Sequence, residues 1–135
     1  MNRTMIAFLR SGFVLLAVVF LAAPLFAHHG RGASYDNSKI ETIQGTVSEW
    51  AWRNPHCALY VDVKGPDGKV VNWGFESQNL SSLSRLGINR LSFQPGQELT
   101  IKFNPSRGGA PVGVIRKVYD SKGKELLSFG GPIDQ

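Results

Sequence analysis

From Ile40 onward, apolar and polar positions alternate with a period of two, the pattern of strands that bury one face. Residues 40–52 carry Ile43, Gly45, Val47 and Glu49 on one face and Gln44, Thr46, Ser48 and Trp50 on the other. A glycine inside such a run predicts a bend or bulge at Gly45. Arg53-Asn54-Pro55 reads as a turn, because proline fixes its own φ and asparagine tolerates tight geometry. Residues 57–64 form a second predicted strand with Cys57, Leu59, Val61 and Val63 on one face. Gly65-Pro66-Asp67-Gly68 is a hairpin signal, followed by a third strand over 69–75 in which Val71, Trp73 and Phe75 alternate.

The period then changes. Leu80, Leu83 and Leu86 fall on one helical stripe, Ser77 or Asn79 supplies a cap, and Gly87 a stop. Gln94-Pro95-Gly96-Gln97 is a turn, residues 98–103 alternate again through Leu99, Ile101 and Phe103, and residues 105–111 form a glycine-rich loop. Residues 112–119 give a fifth strand, residues 120–124 another turn, and residues 125–129 a sixth strand. Three strands, one short helix and two or three strands, with a long bent first strand, predict an all-β fold: a small OB-like Greek-key barrel of five to six strands. A flatter β-sandwich fits the same periodicity.

The first 27 residues have a different character. Arg3 and Arg10 give a basic start, residues 13–23 are apolar without interruption, Pro24 stops the helix, and Ala27 is a small residue before a cut. This is the layout of an export signal, although Leu25 stands where a smaller residue is preferred. The apolar run is shorter than the roughly 20 residues of a spanning helix, so an uncleaved anchor is the less favoured alternative. The expected organisation is a signal peptide over 1–27, a flexible arm over 28–39, a barrel domain over 40–129 and a loose tail over 130–135. The expected location is periplasmic or secreted, without stable membrane insertion after cleavage.

A chain starting at residue 28 would keep 13 Lys/Arg against 10 Asp/Glu. These are scattered, with no basic run longer than Arg116-Lys117, so the clustered stripe of a nucleic-acid-binding surface is missing. Cys57 is the sole cysteine, which excludes an intramolecular disulfide and leaves stability to the core. Its place in the alternation predicts a buried thiol.

Several short motifs recur in a recognisable order: Ala27-His28-His29-Gly30, Gly45-Thr46-Val47, Asn54-Pro55-His56, Tyr60-Val61-Asp62-Val63, Asp67-Gly68-Lys69, Trp73 with Glu76, Pro95-Gly96 and Gly123-Lys124. In these the chain resembles a family of small exported bacterial proteins of unknown function. The resemblance covers nearly all of residues 28–135, and the His-His start and Asn-Pro-His turn are its most specific parts. It implies export and fold, not an activity. Cys57 after His56, and Gly30 after the second histidine, depart from the family pattern without removing a histidine.

All three histidines lie in those two motifs. After a cut behind Ala27, His28 would offer a terminal amine and an imidazole to one metal ion. His29 offers a competing chelate through its imidazole, its backbone amide and the same amine. A further imidazole from His56 would complete a three-nitrogen set that suits copper, with zinc as the other ion. Glu76 either orients His56 through its carboxylate or pairs with a nearby arginine. The plainer reading makes His56 a residue that orders its turn. Trp50, Trp52, Tyr60 and Trp73 form either a ligand-binding aromatic face or core and rim residues of a small barrel. Arg53 and Arg107 are possible anion ligands that nothing in the sequence ties together. There is no Gly-x-Ser-x-Gly and no His-Glu-x-x-His, and the Gly108-Gly109 loop lacks the Lys-Ser/Thr partner of a phosphate loop. The expectation is a binding protein, not an enzyme, with a metal ion or an envelope protein as partner. The alternative is an accessory module that holds a small ligand or a protein on its aromatic face without metal.

Overall fold

A computed structural model describes residues 34–130. The expected signal segment over 1–27, residues 28–33 and residues 131–135 lie outside the described residues. The elements are β1 (Glu41–Ala51), β2 (Ala58–Lys64), β3 (Val70–Glu76), α1 (Leu80–Arg85), β4 (Glu98–Pro105), β5 (Val112–Asp120) and β6 (Glu125–Ser128). The sheet runs β3-β2-β1-β4-β5-β6, and a parallel pairing of β3 with β5 closes the first five strands into a barrel. Six strands in this order, with one short helix after β3, make an OB-type barrel with an added strand on β5. Closure rules out the flat sandwich.

The long first strand serves both halves of the barrel. Its first part, from Glu41 to Thr46, pairs with β4, and its second, from Thr46 to Ala51, pairs with β2. Gly45 sits at the hand-over. A Cβ there would come within 2.9 Å of the Asp62 carbonyl oxygen and 3.0 Å of Val63 Cγ2. The absence of a side chain therefore lets β2 cross close to β1 as the sheet coils.

The register shift on β1 falls three residues later than the sequence suggests, between Val47 and Glu49. The extra residue, Ser48, reverses the alternation. Glu49 now stands opposite the outward Tyr60, and Trp50 stands opposite the fully buried Leu59. The expected grouping of Glu49 with Ile43 and Val47, and of Trp50 with Gln44 and Thr46, is thus corrected beyond the bulge. Val47 is held on its other edge by the turn before β4: its N–H donates to Gln97 O at 2.8 Å and its carbonyl accepts from Gly96 N at 2.8 Å.

The core is the inward set of the alternating strands together with Leu83 of α1, Ile88 and Phe93. Cys57, Leu59 and Val61 are fully buried, as the alternation requires. Asn79 caps α1, its side chain accepting from Ser82 N at 2.9 Å. Of the expected arm, residues 34–39 are fastened to the end of β4. Asp36 N donates to Pro105 O at 2.8 Å, Arg107 N to Ser34 O at 3.0 Å, and the buried Asn104 side chain to Lys39 O at 2.6 Å.

Candidate functional site

His56 lies in the connection between β1 and β2, after a cis Asn54–Pro55 peptide. Its neighbour Cys57 ties that connection to the end of β3: Cys57 N donates to Gln78 O at 3.0 Å, and Cys57 O accepts from Ser77 N at 2.8 Å. The β2–β3 hairpin places Glu76 directly opposite Ala58. His56, two residues before Ala58, falls on the same outer side, and its Nδ1 lies 3.0 Å from Glu76 Oε1. The histidine side chain is 43% exposed and the carboxylate 24%.

A carboxylate only accepts hydrogen bonds, so its approach favours the His56 tautomer with the proton on Nδ1. In the neutral imidazole the lone pair then resides on Nε2. Among the described residues, no cluster of three or more His, Cys, Asp or Glu side chains suits a metal ion. Ligands joining His56 on an ion would come from outside the described residues, from water or from a partner. His28 and His29 lie outside the described residues.

The outer surface continues from this pair along β1, β2 and β3. Tyr60 lies across Gly74, where an added Cβ would be 3.2 Å from the ring. Beyond it, Asn72 Nδ2 donates to Asp62 Oδ1 at 2.7 Å and to Ser48 Oγ at 2.8 Å, so the bulge residue joins a polar triplet. Asn72 and Ser48 were not among the expected site residues. The hairpin register signals the Asp62–Asn72 pair, whereas the bulge that brings in Ser48 has no sequence signal.

The four expected aromatic residues do not share one face. Trp50 points inward, 5.1 Å edge-on from Phe93 and 5.7 Å from Trp52, and its indole N–H donates to Asn89 O at 3.0 Å. Trp73 stacks on Phe75 at 5.9 Å and meets Phe103 edge-on at 5.6 Å. All three tryptophans pack against the core, whereas Tyr60 is on the outer surface. Core packing accounts for most of this aromatic content.

Arg53 and Arg107 are likewise not joined by any shared partner among the described contacts. Arg107 Nη2 lies 3.9 Å from Asp36 Oδ1, beside a cavity of about 310 Å³ that Trp73 and Lys39 also line. Ser38 holds the Asp36 carboxyl below its ordinary range, first through its hydroxyl and then through its amide. Arg107 and Lys39 add to this, against an opposing effect of desolvation.

A family profile matches residues 16–116. The chain belongs to DUF6152, a family of unknown function. The match spans the His-His and Asn-Pro-His motifs and all but the end of the barrel. A search of curated proteins returned no match.

Proposed function

We propose that this family member is an exported metal-binding protein whose site is built on His56 and completed by His28 and His29. Copper is the preferred ion and zinc the alternative. The observation supporting this reading is the 3.0 Å contact of Glu76 Oε1 with His56 Nδ1 on a histidine that remains solvent-accessible. Metal-binding histidines commonly donate their second ring N–H to a carboxylate, which fixes the tautomer and raises the basicity of the ligating nitrogen. A histidine that merely orders its turn would spend its polar atoms on the turn's own backbone.

Cleavage after Ala27 would create a terminal amine on His28. That amine and the His28 imidazole form one chelate, and His56 Nε2 adds the third nitrogen. The role of such a site is metal carriage, buffering or delivery to an envelope partner. It involves no bond-breaking chemistry and so needs no nucleophile or general base.

The test begins with mass spectrometry of protein recovered from the periplasm, which fixes the first residue. Cu(II) and Zn(II) titrations then compare the parent with His28→Ala, His29→Ala and His56→Ala, with electron paramagnetic resonance as the copper readout. One tight copper with altered spectra in both His28→Ala and His56→Ala is the expected result. Tight copper indifferent to His56 reduces the site to a generic terminal chelate, and no binding above that of free amino acids sinks the proposal.

A further inference from the structure

We infer that the segment between β3 and β4 carries a contact surface for an anionic lipid membrane, centred on Leu86 and Leu91. This inference is independent of the metal reading.

Leu91 is 71% exposed and Leu86 is 53% exposed. Leu91 is the most exposed of the large hydrophobic residues in the described chain. The turn that carries it is closely hydrogen-bonded. Leu91 N donates to Asn89 Oδ1 at 2.8 Å, Asn89 N to Ser92 Oγ at 2.9 Å, and Gln94 Nε2 to Leu91 O at 2.9 Å. Ser92 N donates to Asn89 O at 3.1 Å, and the same carbonyl accepts the Trp50 indole N–H, which anchors the turn to β1. A turn held this firmly presents its leucine to solvent as a fixed feature, at a cost in apolar exposure that a polar residue would avoid.

Within the segment that carries the two leucines, charge has one sign. Each leucine follows an exposed arginine, as Arg85-Leu86 and Arg90-Leu91, and residues 77–97 contain no aspartate or glutamate. Paired apolar and cationic side chains suit a surface that is anionic outside and apolar beneath. The leucines reach the headgroup–acyl boundary while the guanidinium groups meet lipid phosphates. A second copy of this chain would oppose arginine to arginine, which disfavours self-association through this surface.

The test uses the full chain with Leu91→Cys labelled by an environment-sensitive fluorophore. Cys57 is fully buried and stays unlabelled in the folded protein. Emission is read with phosphatidylcholine vesicles and with vesicles containing an equal share of phosphatidylglycerol. The label reports position 91 itself, and any vesicle capture by residues 1–27 is common to parent and variants. Expected are a blue shift and a gain of ~2-fold or more with the anionic vesicles alone, reversed by high salt and lost in Arg85→Gln/Arg90→Gln. An equal response to both vesicle types would overturn the proposal. So would no response, a shift that depends on protein concentration without vesicles, or a shift with polyglutamate but not with vesicles.

Discussion

Glu76 and His56 meet because β2 and β3 are a single hairpin: the pairing that sets Lys64 opposite Val70 also sets Ala58 opposite Glu76 and brings Oε1 within 3.0 Å of His56 Nδ1. The contact rests on strand register together with the Cys57 bonds to Ser77 and Gln78, which tie the connection carrying His56 to the end of β3.

This makes Glu76→Gln the most direct probe of the proposed site. Glutamine keeps the size but loses the charge and can donate as well as accept, so the Nδ1-protonated tautomer of His56 is no longer favoured. The affinity for Zn(II) or Cu(II) is expected to fall by roughly 10–100-fold with folding intact. Competition against a chromophoric chelator measures the first, and circular dichroism checks the second. Unchanged affinity would separate Glu76 from the metal.

Gly45→Ala tests the barrel crossing. The new methyl would press on the Asp62 carbonyl oxygen and on Val63. Backbone gives way less readily than a side-chain tip, so a loss of about 1–3 kcal/mol is expected from chemical denaturation. Gly68→Ala in the hairpin turn is a useful contrast: no atom crowds that position, and any cost there reflects its φ of 80° alone.

Burial pushes the Cys57 thiol above its ordinary pKa, and Sγ donates to the Arg53 carbonyl 3.7 Å away. Thiolate is the reactive form, so alkylation of the native protein at neutral pH is expected to be at least about 100-fold slower than of the denatured chain. Timed iodoacetamide labelling with mass spectrometry reads this. Rapid native labelling would show that the β1–β2 connection opens easily.

The Asp36 carboxyl is held below its ordinary 3.8, chiefly by the Ser38 hydroxyl. A group lowered on folding stabilises the native state fully above its unfolded pKa, and that contribution disappears as pH falls through the folded value. Asp36→Asn is therefore expected to lower the melting temperature slightly at neutral pH, with the gap to the parent closing as pH drops below 3.8. Thermal melts across that range decide it, and a gap that persists in strong acid would show that charge is not the cause.

Most of the elements could be read locally. Alternation located all six strands to within a residue or two, and leucine spacing with the Asn79 cap located the helix. The turn at residues 65–68 determines the β2–β3 register, so the approach of Glu76 to His56 could be anticipated by counting back from Gly65. Simple alternation puts Trp50 on the wrong face, because it assumes an unbroken ladder. An extra residue at Ser48 depends on partners along both edges of β1, namely β2 and the turn that binds Val47.

The sequence by itself determined which segments are strands, where the turns lie and which side of β2 is buried, because side-chain alternation and turn chemistry act over a few neighbouring residues. Only the tertiary structure decided that β3 and β5 close the barrel, that residues 34–39 are fastened to the end of β4, and that the tryptophans turn inward, away from Tyr60. Each of these joins segments far apart in the chain. Such contacts form only when many pairings are satisfied together, and no local pattern records them.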